Sequence, residues 1–86
     1  MSAKKLYEKI KRNPKNVSFK DINTLMEAGG FIRRSSKSSH YVYTHPDLRD
    51  IQDSVTIPFN RPVKVFYIKK ALELFELANP DFGKKK

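Results

Sequence analysis

The chain has no cysteine. That excludes disulfides, zinc knuckles and thiol nucleophiles together, so the fold must stand on packing alone. Histidine is scarce, with two in 86 residues, His40 and His45. No carboxylate cluster has metal-ligand spacing and no glycine-rich phosphate loop is present, so neither a metal centre nor a cofactor is expected. No apolar run approaches the roughly 18 residues of a membrane span. The cations near the N-terminus are not followed by the apolar core of a signal peptide. The expectation is a mature chain that is the whole chain, cytoplasmic and without membrane contact.

Acidic residues are also few. Nine Asp and Glu stand against 18 Lys and Arg, a formal charge of +9. On so small a body this excess points to a polyanion such as RNA or to an acidic protein, because each cation near a phosphate releases a counterion. The cations are clustered. Residues 4–20 carry Lys4, Lys5, Lys9, Lys11, Arg12, Lys15 and Lys20 against Glu8 alone, and Arg33, Arg34 and Lys37 lie close before His40.

What is present is a globular composition, 38% apolar and 31% charged. At 86 residues, residues 1–86 make one domain with one modest core. Ala3, Leu6, Tyr7 and Ile10 fall at helical spacing, which predicts a short basic helix over residues 2–12, stopped by Asn13 and Pro14. Ser18 followed by Asp21 is a capping-box variant opening a helix over residues 19–28, and Gly29 and Gly30 end it. A strand over residues 31–34, a polar turn over 35–37 and a returning strand over 38–44 read as a hairpin. After the His45-Pro46-Asp47 break, residues 54–57 alternate and end at Pro58, giving a third strand antiparallel to the second. Val65, Ile68, Leu72 and Phe75 place the longest helix over residues 64–78, and residues 79–86 form a basic tail. The fold class is α+β, a three-stranded antiparallel sheet with helices on one face, αβββα with an added N-terminal helix.

The remaining chemistry is proton transfer by histidine, whose ordinary value of about 6.5 suits neutral pH. RNA supplies its own nucleophile, the 2′-OH. A base that takes its proton, with cations on the phosphate, is sufficient for strand cleavage, and Ser38 and Ser39 offer hydroxyls and backbone amides to that phosphate. His40 is the better candidate of the two because it follows Lys37-Ser38-Ser39 at a strand start, whereas His45 precedes Pro46 and reads as a turn residue. The competing reading of His40 is an ordinary surface or core histidine. Alternation groups His40 with Val42 and Thr44, and Tyr41 with Tyr43, without deciding which set faces outward. Outward tyrosines would stack on unpaired bases; inward ones would pack in the core.

The run N-P-K-N-V-S-F-K-D-I-N-T-L-M-E-A-G-G-F from Asn13, K-S-S-H-Y-V-Y-T-H-P from Lys37, V-T-I-P from Val55 and the helix through residues 67–74 resemble HicA toxins in order and spacing. The resemblance covers residues 13–78. It implies a fold like that of a double-stranded-RNA-binding domain, an mRNA interferase activity and a HicB-like antitoxin as inhibitor. The family signature Gly-Ser-His before a strand falls on Ser39 and His40, with His40 catalytic, and Ser38 stands where the family carries glycine. The RNA contacts expected on this reading are Arg33, Arg34, Lys37, Ser38, Ser39, Tyr41 and Tyr43, extended by the basic helix of residues 4–12. A non-catalytic RNA-binding module and a protein-interaction adaptor are the two alternatives.

Overall fold

Apolar residues spaced three and four apart along the N-terminal segment build helix α1, Ala3–Arg12, which buries Leu6, Tyr7 and Ile10. The structure is a computed structural model that describes residues 3–37, 40–48, 54–59 and 62–80, apart from the side chains of Ser36 and Lys37. Pro14 cannot continue α1 and instead opens a single 3-10 turn, Pro14–Asn16. Helix α2, Phe19–Ala28, begins as its cap predicts: Ser18 Oγ accepts the Asp21 N–H at 3.1 Å.

The two glycines after α2 are required for different reasons. A Cβ at Gly29 would lie 2.4 Å from the Phe75 ring, so the close approach of helix and ring needs a residue without one. Gly30 has φ +91°, a conformation that side-chain-bearing residues rarely adopt, and a Cβ there would meet His45 Nε2 at 2.9 Å. The turn is closed by the Phe31 N–H donating to Met26 O at 3.0 Å.

Strands β1, Ile32–Lys37, β2, His40–Thr44, and β3, Val55–Pro58, form an antiparallel sheet in the order β1-β2-β3. The polar turn expected over residues 35–37 is instead strand. Ser35 pairs with Tyr41 and Lys37 with His40, and a bulge between Ser35 and Lys37 takes up the extra residue. Serines are weak strand formers, but on an edge strand the ladder to β2 outweighs their preference for turns. Helix α3, Val65–Ala78, closes the fold. An isolated bridge, with the Val63 N–H donating to Val17 O at 2.9 Å, fixes the approach to α3 beside the 3-10 turn.

Helices α2 and α3 cover one face of the sheet. Tyr43, Val55 and Ile57 from the strands meet Ile22, Leu25 and Met26 of α2 and Ile68 and Phe75 of α3 in one cluster. Each such large side chain contributes about 1.5–3 kcal/mol on burial. Helix α1 joins this cluster from the helix side. The Tyr7 ring stacks on Phe75 with centroids 5.6 Å apart, and its hydroxyl donates to the Glu76 carboxylate. Lys11 Nζ donates to Glu76 at 2.8 Å and to the Tyr7 hydroxyl at 3.0 Å.

Burial alone would raise the Glu76 carboxyl, but the hydrogen bonds from Lys11 and Tyr7 outweigh it and hold the group below its ordinary value of 4.5. Lys11 is held above the ordinary lysine range by its hydrogen bond to Glu76 and then by that to Tyr7. A depressed carboxyl contributes stability that is fully present above the unfolded value and is lost as pH falls through the folded one. A raised lysine contributes below its unfolded value and loses that contribution only as pH rises through its folded one. The α1 anchor is therefore intact at neutral pH and weakens as the pH drops below about 4.5. Both side chains are partly solvated, so the ion pair belongs to the range of about 0.2–1 kcal/mol. Glu76→Gln is expected to flatten the acid limb of a plot of urea midpoint against pH; an acid limb unchanged in Glu76→Gln would assign the dependence elsewhere.

Candidate functional site

Strand β2 lies between two neighbours and has one face covered, so its alternation decides what the other face offers. Tyr43 is fully buried, and its hydroxyl donates to Asn23 Oδ1 at 2.6 Å. Desolvation pushes the Tyr43 hydroxyl up to about 12. Tyr41 packs against the Phe19 ring with centroids 5.0 Å apart. Both tyrosines therefore face the helices. The outward orientation needed for stacking on bases from the open face does not occur, because two aromatic side chains are buried by turning this way. Tyr43 is thereby withdrawn from the expected RNA contacts, and Tyr41 is a half-buried ring at the margin of the core.

His40, Val42 and Thr44 consequently occupy the open face, and His40 is exposed. Its backbone stands opposite Lys37 on β1 and Pro58 on β3. Arg34 pairs with Val42, the next open-face residue after His40, and is itself exposed. This cation and His40 share one surface.

Arg33 does not. One residue earlier on β1, it pairs with Tyr43 and points to the helix side. There its Nη1 donates to Asn23 Oδ1 at 3.2 Å, and its guanidinium sits 5.4 Å from the Tyr41 ring centroid. The cluster expected from Arg33, Arg34 and Lys37 is thus divided by the pleat: adjacent residues of a strand cannot both reach the same face. Ser38 and Ser39 lie outside the described residues, as does the Lys37 side chain. The cations of α1 are carried on a helix fastened to α2 and α3, on the side of the sheet away from His40. They do not extend the His40 surface as the sequence led one to expect.

Asn23 was not singled out in the sequence, where it is one polar residue in an amphipathic helix. Its position four residues after Phe19 is the one signal that it borders the buried stripe. In the structure its amide oxygen gathers Tyr43 and Arg33, fixing both on the covered side.

His45 has the turn role expected of it. The Asp47 N–H donates to His45 Nδ1 at 3.0 Å, so Nε2 carries the proton and donates to Gly29 O at 3.1 Å. Asn79 Nδ2 donates to the same carbonyl at 3.0 Å, and the Phe31 ring meets the imidazole edge-on at 4.9 Å. His45 thus joins the end of β2 to the glycine turn, and both its nitrogens are used.

Among the described residues no group of three or more His, Asp or Glu side chains converges as a metal site. No helix among them is long and apolar enough to cross a membrane. Compared with protein-family models, curated proteins and solved structures, the chain matches none.

The two histidines are expected to differ in what they cost the fold. His45→Ala loses two hydrogen bonds and an aromatic contact and should destabilise by about 1–3 kcal/mol. His40→Ala, at an exposed position, should stay within about 0.5 kcal/mol. Gly30→Ala, strained at positive φ and against His45, should cost about 1–3 kcal/mol. Urea unfolding of the three variants measures this, and equal midpoints for His40→Ala and His45→Ala would refute the assignment of His45 to the turn.

Proposed function

We propose that this protein is a HicA-like endoribonuclease that cleaves single-stranded RNA, with mRNA as its substrate, through the imidazole of His40. The observation that carries the reading is the exposed His40 at the start of β2, on the sheet face opposite the helices, shared with the exposed Arg34. The resemblance over residues 13–78 supports it, since the Ser-His of the signature falls on Ser39 and His40. The charge of +9 supports a polyanionic substrate.

In this reaction His40 takes the proton of a 2′-OH. The 2′-oxygen attacks the adjacent phosphorus and the P–O5′ bond breaks. The products are a 2′,3′-cyclic phosphate and a 5′-OH, whose proton is returned from the imidazolium through solvent. Arg34 neutralises charge on the phosphate as it develops. Arg33, engaged by Asn23 and Tyr41, positions the helix side of the sheet instead. Lys37 joins the phosphate contacts through its charge, and Ser38 and Ser39 through their hydroxyls and backbone amides. No metal or cofactor takes part. The site of action is the cytoplasm, where mRNA is met, and the inhibitor is a HicB-like acidic antitoxin drawn to the same cationic face.

A second reading, a non-catalytic RNA-binding module of the same fold, is favoured by the charge excess alone. Cleavage separates the two. His40→Ala is expected to lower the rate of RNA cleavage by about 100- to 10,000-fold with the fold intact. Cleavage by the parent should continue in excess EDTA, and 2′-O-methylated RNA should resist it. Equal activity of His40→Ala and the parent would end the enzyme reading, and rapid cutting of methylated RNA would make water the nucleophile.

The division of the arginines gives a separate test. Arg34→Ala should reduce the salt slope of RNA binding by about 1, and Arg33→Ala should leave it nearly unchanged. Equal slopes for Arg34→Ala and the parent would remove Arg34 from the phosphate contacts.

A further inference from the structure

In a chain of formal charge +9, helix α3 is neutral, with Lys69 and Lys70 against Glu73 and Glu76. It is for that reason poorly suited to a polyanion and better suited to meet another copy of a cationic protein. Ile68, Ala71 and Phe75 turn inward and are fully buried. On the opposite bearing, at helical spacing, runs a stripe of Phe66, Lys70, Glu73 and Leu77. Phe66 is 72% and Leu77 56% exposed, two large apolar side chains left in water. We propose that this stripe is the contact of a symmetric dimer, in which α3 packs antiparallel on α3 of a second copy. The proposal does not depend on the RNA reading above.

The order of the four residues commits the occupant. A two-fold axis through the middle of α3 sets Phe66 against Leu77 of the second copy and Lys70 against Glu73 of the second copy, and each contact occurs twice. The successive steps along the stripe, alternating four and three residues, are those of the seam of a coiled coil. Phe66 and Leu77 are about 16 Å apart along the axis and within about 20° of one bearing, so one straight seam reaches both. Apolar pairs lie at its two ends and ion pairs between them. Within the chain Lys70 Nζ is 3.9 Å from Glu73 Oε1, a long contact that leaves donors of the ammonium for a second carboxylate. The dimer closes these four groups into a ring of alternating charge. A parallel pairing would set Lys70 on Lys70 and Glu73 on Glu73, like charge on like.

The Phe66 ring is held edge-on to the half-buried Tyr67 with centroids 5.3 Å apart, so less side-chain freedom is lost on contact. A helix of 14 residues is about 21 Å long. The interface is accordingly at the small end, below about 1,200 Å², and the dimer is weak and reversible. Because α3 lies on the helix side of the sheet, the contact leaves His40 and Arg34 of both copies outside it.

The lack of cysteine makes the register directly readable. Phe66→Cys and Leu77→Cys chains, mixed in a glutathione redox buffer, are expected to give a disulfide-linked mixed dimer, and neither variant alone should give one. A single variant that cross-links with itself, or a mixture that does not cross-link, overturns the antiparallel register. Sedimentation equilibrium of the full chain up to about 1 mM should show a reversible monomer–dimer equilibrium. The ionic strength is held at about 0.15 M, where repulsion between two copies of charge +9 is screened beyond about 8 Å. Lys70→Glu and Glu73→Lys should each raise the dimer Kd at least about fivefold, since both symmetry-related pairs become repulsive. The two changes together should return it to within about twofold of the parent, which a merely structural role would not do. Phe66, Glu73 and Leu77 are exposed and Lys70 half-buried, so the variants should fold, and circular dichroism with the urea midpoint confirms that they have. A parent that stays monomeric throughout, or single charge variants with an unchanged Kd, overturns the proposal.

Discussion

The inward packing of Tyr43, fully buried, and of Tyr41, half-buried against Phe19, beneath α2 is the interaction on which the rest of the arrangement depends. Because β2 is the middle strand and, among the described residues, the helices cover one of its faces, those two rings leave water by turning toward that face. Once they turn inward, His40 and Val42 must turn outward, and the register with β1 then selects Arg34 over Arg33 for the same surface. A one-residue slip of β2 would expose both tyrosines and bury His40 against apolar side chains. The hydrogen bond from Tyr43 to Asn23 adds a polar check on that register, since it is made only with the ring inside.

The glycine turn after α2 is the second point of convergence. Gly29 O accepts from His45 of the β2 end and from Asn79 at the end of α3, while the Phe75 ring presses on Gly29 itself. Three elements distant in sequence are thereby joined at one carbonyl. The effect on the open face is indirect: the end of β2 opposite His40 is anchored, and the strand start carrying His40 is paired to Lys37 and Pro58 in the sheet ladder.

The proposed chemistry makes modest demands of this scaffold. A substrate that brings its own nucleophile needs a proton acceptor and a neutralising cation rather than an elaborate cavity. The sheet face opposite the helices carries an exposed His40 and an exposed Arg34, the two kinds of group such a substrate would call for.

Local signals determined most of the elements. The Ser18 cap, the stop at Asn13-Pro14, the double glycine and the apolar spacing of residues 65–75 act within one or two helical turns, so the helices were legible along the chain. The three antiparallel strands were legible from their alternation, although β1 runs on through residues where serine composition argued for a turn, because pairing with Tyr41 and His40 is a long-range contribution. The face of the sheet on which each side chain falls was not legible. Alternation specifies that Tyr41 and Tyr43 oppose His40, and that Arg33 opposes Arg34, but it is indifferent to which set is inside. Only the packing of α2 and α3 breaks that symmetry, by burying Tyr43 and seating Tyr41 on Phe19, and in doing so it separates two arginines that are adjacent in sequence.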